Sequence, residues 1–309
     1  MDIVITSLIS FIFTIISTKL ITPFLGKFFL DVPNKRSSHS SATPSGGGLG
    51  FIMASVAVGF KSSLILPLIS LPLSIIGFFD DLINLSPFKR ILAQSLTLIV
   101  IYSTSPLPRI LENHTLSKII FVPLIILFGI YLINIINFAD GLDGLLGGCM
   151  CVILLYYSIN IDINFLPIFA ALLGFQFLNW APAIVFMGDG GSTFLGALYA
   201  GLIYYSNSLE QTISLILVSL PLILDTSFCL LRRLYARHNI FKAHKLHLFQ
   251  RLHQAGYGHS LISFIYISSV AAIAIALSLR GLETALVISL IIFLIGVFLD
   301  RNVAIPFSK

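Results

Sequence analysis

The chain has 309 residues, of which 57% are hydrophobic and only 10% are charged, and its mean hydropathy is +1.00. Soluble domains carry roughly 25% charged residues, so this composition excludes a soluble globular enzyme, and it also excludes a disordered chain. The apolar runs are continuous rather than alternating, which disfavours a membrane β-barrel. In a membrane protein the distribution of the net charge of +5 matters more than its sum, and we expect no nucleic-acid partner.

Eleven apolar segments predict an all-α, polytopic integral membrane protein with about ten or eleven transmembrane helices in one domain, residues 1–309. The first segment has no basic residue before it, so we interpret it as a retained span rather than a cleavable signal peptide. The second has only 13 residues, which is short for a crossing and leaves ten spans as the alternative. The segments are 3–21, 48–60, 64–79, 91–104, 118–138, 145–159, 165–180, 193–206, 211–231, 260–279 and 282–299.

The basic residues divide unequally between the two sides that alternating spans create. If the 22–47 loop lies on one side, fourteen of the eighteen Lys and Arg residues lie on that side. By the positive-inside rule this side is cytoplasmic, which places the N-terminus outside and the C-terminus inside. Acidic and glycine-rich strings lie on the same side. We therefore expect an active site at the cytoplasmic face, whereas a transporter would hold its functional groups near the bilayer midplane.

Two strings place polar groups at the ends of predicted spans. GFFDDL ends the third span with Asp80 and Asp81, and adjacent acids at a membrane boundary are costly unless they are hydrated, paired or bound to a metal. NIINFADGLDGL carries Asn137, Asp140 and Asp143, whose oxygens suit Mg²⁺ or nucleotide groups. A solvated helix end is the alternative for the first string, and hydrogen bonding between helices is the alternative for the second.

Two glycine-rich strings are candidate anion sites. MGDGGS places Asp189 just before a span that begins near Ser192, and a helix N-terminus favours anions; a plain turn with an N-cap serine is the alternative. The first loop has glycines that can cradle a phosphate, and they lie beside basic residues. The alternative is that the basic residues only anchor the loop on the cytoplasmic side. Its candidate residues are Arg36, His39, Gly46 and Gly47.

The longest polar stretch, 232–259, holds five of the seven histidines. His244 and His247 are three residues apart and Arg251 follows four residues later, so on a helix they would share a face. This set suits contact with an anion. A zinc site needs Cys or carboxylate partners in a closed geometry, which the spacing alone does not supply.

The remaining polar and sulfur-containing residues of the spans have structural interpretations. Cys149, Cys151 and Cys229 lie in apolar stretches, where we predict small buried side chains and neither a disulfide framework nor a metal cluster. Asp225 precedes Arg232 by seven residues, or two helical turns, which predicts a structural ion pair near the interface.

Taken together, these strings resemble the polyprenyl-phosphate N-acetylhexosamine-1-phosphate transferases, a family of integral membrane enzymes of the glycosyltransferase family 4 type. Five motifs occur in the family's order between about Asp31 and Arg251: the D-x-P-x-x-R-x-x-H loop with its glycines, GFFDDL, NxxNxxDGxDGL, MGDGGS and the late HxxH loop. The resemblance implies transfer of a sugar-1-phosphate from a UDP-sugar to undecaprenyl phosphate, with release of UMP. It also implies a requirement for Mg²⁺, with Mn²⁺ as an alternative.

The resemblance assigns roles by motif position. Asp189 resembles the metal-binding aspartate, with Asn137 as its companion. Asp80 and Asp81 resemble the catalytic pair, and Asp80 is favoured for acting on the lipid phosphate. The predicted substrate-binding residues are Asp140, Asp143, Arg90, Arg36, His39, Gly46, Gly47, His244, His247 and Arg251.

The last loop favours one branch of the family. The muramoyl-pentapeptide transferases carry adjacent histidines there, whereas this chain has the string HKLH. It is therefore closer to the branch that initiates O-antigen (lipopolysaccharide), enterobacterial common antigen or teichoic acid chains, which predicts UDP-GlcNAc or a close UDP-N-acetylhexosamine as donor. The alternatives are a phospho-N-acetylmuramoyl-pentapeptide transferase and an ion-coupled transporter or flippase. The expected location is the bacterial inner membrane, and a homodimer is an open alternative.

Overall fold

The computed structural model describes residues 2–33, 38–39, 41–110, 115–238 and 244–307. Within these ranges the chain is almost entirely helical. Segments without regular structure join the helices, and the other regular elements in these ranges are the two-residue strands β1 (Leu30–Asp31) and β2 (Thr43–Pro44), which pair antiparallel in the first loop, and a 3₁₀ turn at Ile163–Phe165. The α-helices are α1 (Asp2–Phe28), α2 (Leu49–Ser62), α3 (Ile65–Ile83), α4 (Pro87–Thr104), α5 (Leu107–Ile110), α6 (Thr115–Phe138), α7 (Leu145–Asn160), α8 (Leu166–Asn179), α9 (Asp189–Tyr204), α10 (Leu209–Val218), α11 (Leu220–Tyr235), α12 (Leu248–Gln254), α13 (His259–Arg280) and α14 (Leu282–Asn302).

The helical membrane architecture predicted from the sequence is confirmed. Each of the eleven apolar segments corresponds to a helix, or for 211–231 to the bent pair α10 and α11, whose axes differ by 70°. By length and composition, five helices in the described part of the chain are able to cross a membrane unaided, and the bent pair would make six. The other apolar helices are shorter than the roughly 20 residues that a full crossing needs, so length and composition alone identify these five or six candidate spans in the described residues.

Helix α9 lies at the centre of the bundle. Every residue of α9 except Asp189 and Thr193 is buried, and its neighbours include α3, α4 and α6. In contrast, α1 and α14 expose leucine, isoleucine and phenylalanine side chains, as helices that face lipid do. The position of Asp189 at the start of α9 is therefore determined by packing along the whole helix.

Candidate active site

The centre of the candidate site is a contact between the end of α3 and the start of α9. Gly77 permits the close approach of these helices, because a Cβ at this position would lie only 2.6 Å from the backbone oxygen of Asp189. The approach brings Asp81 to Asp189, whose backbone N–H donates to Oδ2 of Asp81 at 3.0 Å. Two carboxylates from separate helices thus meet at one end of the bundle, and the positive end of the α9 dipole faces Asp81.

Asn137, in the last turn of α6, joins this pair. Its Nδ2 donates to Oδ1 of Asp189 at 3.1 Å and to Oγ of Ser192 at 2.8 Å. Amide groups bind cations through oxygen, whereas here the nitrogen faces the carboxylate. In this arrangement Asn137 orients Asp189, and its predicted role as a cation ligand would require the amide oxygen to face the ion instead.

Asp80 and Asp81 have different surroundings, as expected for neighbours about 100° apart on a helix. Asp80 is 6% exposed and both of its oxygens are engaged. Oδ1 accepts the backbone N–H of Leu85 at 2.7 Å, and Oδ2 pairs with Nε of Arg90 at 2.8 Å. Asp81 is exposed. The geometry therefore favours Asp81, rather than Asp80, as the carboxylate that faces a substrate.

Asp140, two residues beyond the end of α6, adds a third acid to the cluster. Burial, followed by the negative charges of Asp189 and Asp143, raises the pKa of Asp140 to about 7. The ionised form of Asp140 is therefore disfavoured, first by burial and then by repulsion from the two neighbouring acids. A divalent cation is the group that would relieve this repulsion.

One glycine of the first loop is packed inside the protein, beside the segment that leads into α9. Gly47 donates its backbone N–H to the carbonyl oxygen of Phe186 at 2.9 Å, so this group is already used. A Cβ on Gly47 would lie 2.6 Å from the side chain of Val185. Gly47 therefore packs against the 185–188 segment, and its contact with a substrate phosphate stays a prediction. Gly46 has φ +91°, a left-handed conformation that favours glycine.

Of the two basic residues predicted in this loop, the structure describes His39. His39 packs edge-on against Phe186, with ring centroids 4.9 Å apart, and its Nε2 lies 3.9 Å from Oδ1 of Asp31. The first loop therefore folds over the segment that leads into α9. Arg36 lies outside the described residues.

Asp143 is held by a histidine that the sequence argument did not select. Oδ1 of Asp143 lies 3.2 Å from Nδ1 of His259, and Oδ2 accepts the backbone N–H of Ala183 at 3.1 Å. Burial alone would raise the pKa of Asp143, but its bonds to His259 and Ala183 leave that pKa below its usual value. Nε2 of His259 lies 3.0 Å from the carbonyl oxygen of Ser38. One imidazole thus joins the first loop to the segment after α6.

The residues predicted in the last loop are buried in other contacts. His247 is 3% exposed, its ring stacks on that of His244 at 5.0 Å, and its Nδ1 lies 3.7 Å from Oδ1 of Asp225. Arg251 is 2% exposed, contacts the Asp300 carboxylate and donates to the carbonyl oxygen of Ile305 at 2.8 Å. His247 and Arg251 therefore face the interior, and contact of His244, His247 and Arg251 with an anionic substrate stays a prediction.

The predicted pair of Asp225 and Arg232 is also wrong. Arg232 binds Asp300 on α14, with Nη1 2.8 Å from Oδ1. Asp225 instead accepts the backbone N–H of Leu248 at 2.7 Å and the hydroxyl of Tyr266 at 2.6 Å. A carboxylate at a helix N-terminus is stabilised by the free N–H groups there, so Asp225 anchors the start of α12.

Helix α12 reaches the carboxylate cluster through residues that the sequence argument missed. A Cβ on Gly141 would lie 2.8 Å from the ring of Phe249 and 3.3 Å from Nε2 of Gln250, so α12 packs on the segment that contains Asp140. For Ser192, which lies beside Asn137, the sequence predicts only the start of a helix. The spacing within the sequence carried no signal that these residues meet.

Comparison with known proteins agrees with this geometry. The sequence model of glycosyl transferase family 4 matches residues 63–207. A phospho-N-acetylmuramoyl-pentapeptide-transferase of Prochlorococcus marinus is 31% identical over 81% of this chain and 77% of its own length. The chain belongs to glycosyl transferase family 4. The matched range contains Asp80, Asp81, Asn137, Asp140 and Asp189.

Two further relatives carry a different name. A probable undecaprenyl-phosphate N-acetylglucosaminyl 1-phosphate transferase of Bacillus subtilis is 29% identical over 93% of this chain and 89% of its own length. An undecaprenyl-phosphate alpha-N-acetylglucosaminyl 1-phosphate transferase of Thermotoga maritima is 30% identical over 72% of this chain and 73% of its own length. This family 4 chain is therefore similar to members that are named for the transfer of two different groups.

Proposed function

We propose that this chain transfers N-acetylglucosamine-1-phosphate from a UDP-sugar to undecaprenyl phosphate. The observation that carries the proposal is the meeting of Asp81, Asp189 and Asp140 at one end of an apolar helix bundle, within the range that matches the family. The similarity to the Bacillus subtilis and Thermotoga maritima transferases supports the acceptor and the sugar. A site at the bundle end serves both reactants, because the lipid comes from the bilayer and the nucleotide from water.

The reaction is a phosphoryl transfer between two anions. An oxygen of the lipid phosphate attacks the β-phosphorus of the UDP-sugar, and the bond from this phosphorus to the bridging oxygen breaks. UMP leaves with that oxygen, and the product is an undecaprenyl-diphospho-sugar. Such reactions depend mostly on positioning and on neutralising charge.

The acids present fit a Mg²⁺ site, with Mn²⁺ as an alternative. Asp189 and Asp81 offer carboxylate oxygens, the ligands that Mg²⁺ prefers, and the raised pKa of Asp140 supports a need for positive charge. When bound, the ion would neutralise the diphosphate. Asn137 holds the Asp189 carboxylate in place through its bond at 3.1 Å. We assign Asp81 to the face that meets the lipid phosphate, and Asp80 with Arg90 to fixing the end of α3.

A second donor is favoured by a specific observation. The Prochlorococcus marinus relative, at 31% identity, is a phospho-N-acetylmuramoyl-pentapeptide-transferase. UDP-MurNAc-pentapeptide is therefore the alternative donor for the same reaction. In either case we place the site at the cytoplasmic face of a bacterial inner membrane, where the product begins a cell-surface polymer.

The test is UMP release by the purified protein with undecaprenyl phosphate, Mg²⁺ and a panel of UDP-N-acetylhexosamines that includes UDP-MurNAc-pentapeptide. We expect release with UDP-GlcNAc that depends on both the lipid and the metal. Release only with UDP-MurNAc-pentapeptide would replace the donor. Absence of release with every donor, from protein shown to be folded, would overturn the proposed reaction.

A further inference from the structure

A cysteine and two histidines meet at the junction between α11 and α12. Cys229 belongs to α11, and His244 and His247 precede α12. One ligand atom from each residue can be chosen so that all three lie within 4.8 Å of one another. Cys229 and His247 are 4% and 3% exposed. The two histidines alone would leave a metal ion with too few protein ligands. The fold adds Cys229 from the preceding helix, α11.

The surroundings of His247 suit a metal ligand. Its side chain accepts the backbone N–H of Gln250 at the start of α12, and its Nδ1 lies 3.7 Å from Oδ1 of Asp225, just beyond hydrogen-bond length. Metal-binding histidines commonly direct their second nitrogen at a carboxylate, which fixes the ring. Asp225 is itself held by the backbone N–H of Leu248 and the hydroxyl of Tyr266, so it provides a rigid support.

The second histidine is also positioned by the backbone. The ring of His244 lies nearly parallel to that of His247, with an interplanar angle of 25°. Its Nδ1 accepts the N–H of Leu246 at 3.2 Å, and an ion bound through that nitrogen would replace this one bond. Thiolate sulfur and imidazole nitrogen together are the ligands that zinc prefers, with metal–ligand distances of about 2.0–2.3 Å. The three atoms would therefore need to close by roughly 1 Å.

We propose that Cys229, His244 and His247 bind one zinc ion, with a water molecule as the fourth ligand. On binding, the Cys229 thiol releases its proton to solvent and coordinates as the thiolate. The ion would fasten the segment before α12 to the second half of α11. Because α12 packs on Gly141, fastening it would also fix one wall of the carboxylate site.

The first test is the metal content of the protein, purified with a tag that contains no histidine, incubated with equimolar zinc and desalted. Inductively coupled plasma mass spectrometry should find about one zinc per chain. Cys229→Ser and His247→Gln should lose it. Cys151→Ser is the matched control, because Cys151 is another free, buried cysteine, and it should keep the zinc. A wild-type protein without zinc, or a Cys229→Ser variant with the wild-type stoichiometry, would overturn the proposal.

The second test reports coordination by sulfur and does not depend on enzyme activity. Cobalt(II) in place of zinc gives a charge-transfer absorption band only when a thiolate is a ligand. We expect the band in the wild type and in Cys151→Ser. His244 is less buried than the other two ligands, so His244→Ala is the variant least apt to disturb folding, and it should weaken cobalt binding. A wild-type protein that binds cobalt without this band would contradict the role of Cys229.

Discussion

Substitution of Gly77 by alanine tests whether the approach of α3 to α9 builds the active site. A Cβ at Gly77 would lie 2.6 Å from the backbone oxygen of Asp189, 2.7 Å from its carbonyl carbon and 2.7 Å from Oγ1 of Thr193. Two of these three atoms belong to the backbone, so rotation of a side chain cannot relieve the clash. The helices must separate, and the start of α9 moves with Asp189.

The size of the effect follows from these distances. Comfortable contacts between such atoms begin at about 3.5 Å, so the separation needed is roughly 0.5–1 Å. Overpacking of this kind costs about 1–3 kcal/mol of stability, which a helix bundle of this size should tolerate. A displacement near 1 Å in a reacting geometry costs about 100-fold in rate. We therefore expect a folded protein whose kcat for UMP release is about 100-fold lower.

The assay is UMP release with undecaprenyl phosphate and UDP-GlcNAc, together with thermal unfolding in the same detergent. Gly296→Ala is the matched control, because Gly296 also lies within an apolar helix and has no atom within 4 Å of its Cβ position. The control should keep wild-type activity. If Gly77→Ala retains more than half of the wild-type kcat, the close contact of α3 and α9 does not set the active-site geometry.

Three further perturbations examine the same site. Asp189→Asn should lower UMP release by at least about 100-fold with little change in thermal unfolding, and a variant with most of its activity would refute the metal-binding role. Chelation by EDTA should abolish UMP release, and added Mg²⁺ or Mn²⁺ should restore it; activity that survives chelation would argue against a cation. His259→Ala removes the links to Asp143 and Ser38, so the KM for the UDP-sugar should rise about 10-fold, with a smaller change in kcat. An unchanged KM would show that this link does not position the donor.

The positions of the acids could be predicted from the sequence because each stands in a polar string at the end of an apolar run. Asp81, Asp140 and Asp189 all lie at or just beyond the end of a helix, as a polar string at the end of an apolar run predicts, and together they form the carboxylate cluster. The spacing could not show which of Asp80 and Asp81 pairs with a basic residue. Asp80 differs from Asp81 through its contact with Arg90 on another helix, and only the packing of α3 on α4 decides this.

The last loop shows where sequence spacing misleads. Arg251 looked like an anion contact, but the fold turns it towards Asp300 on α14. Cys229 looked like an isolated apolar side chain, yet it lies beside His244 and His247. Both outcomes depend on contacts between segments far apart in the chain, and periodicity within one segment carries no information about them.

The pH dependence of activity tests whether the ionised form of Asp140 acts in the reaction. Because its pKa is raised to about 7, the carboxyl is mostly protonated at pH 6 and mostly ionised above pH 8. Asparagine resembles the protonated form. If the ionised form of Asp140 acts in the reaction, the ratio of kcat/KM of the wild type to that of Asp140→Asn should be smallest at low pH and should grow as the pH rises through the pKa.

A bound cation should change the pH at which the two proteins diverge. Positive charge near Asp189 would lower the pKa of Asp140, so a higher Mg²⁺ concentration should move the divergence to lower pH. The measurement is kcat/KM for both proteins between pH 5.5 and 8.5 at two Mg²⁺ concentrations, with thermal unfolding recorded at each pH. A ratio that is constant across this range would mean that Asp140 acts through its shape or hydrogen bonds. A ratio that varies with pH but not with Mg²⁺ would place the ion away from the Asp189 carboxylate, because the two acids are close enough to repel each other.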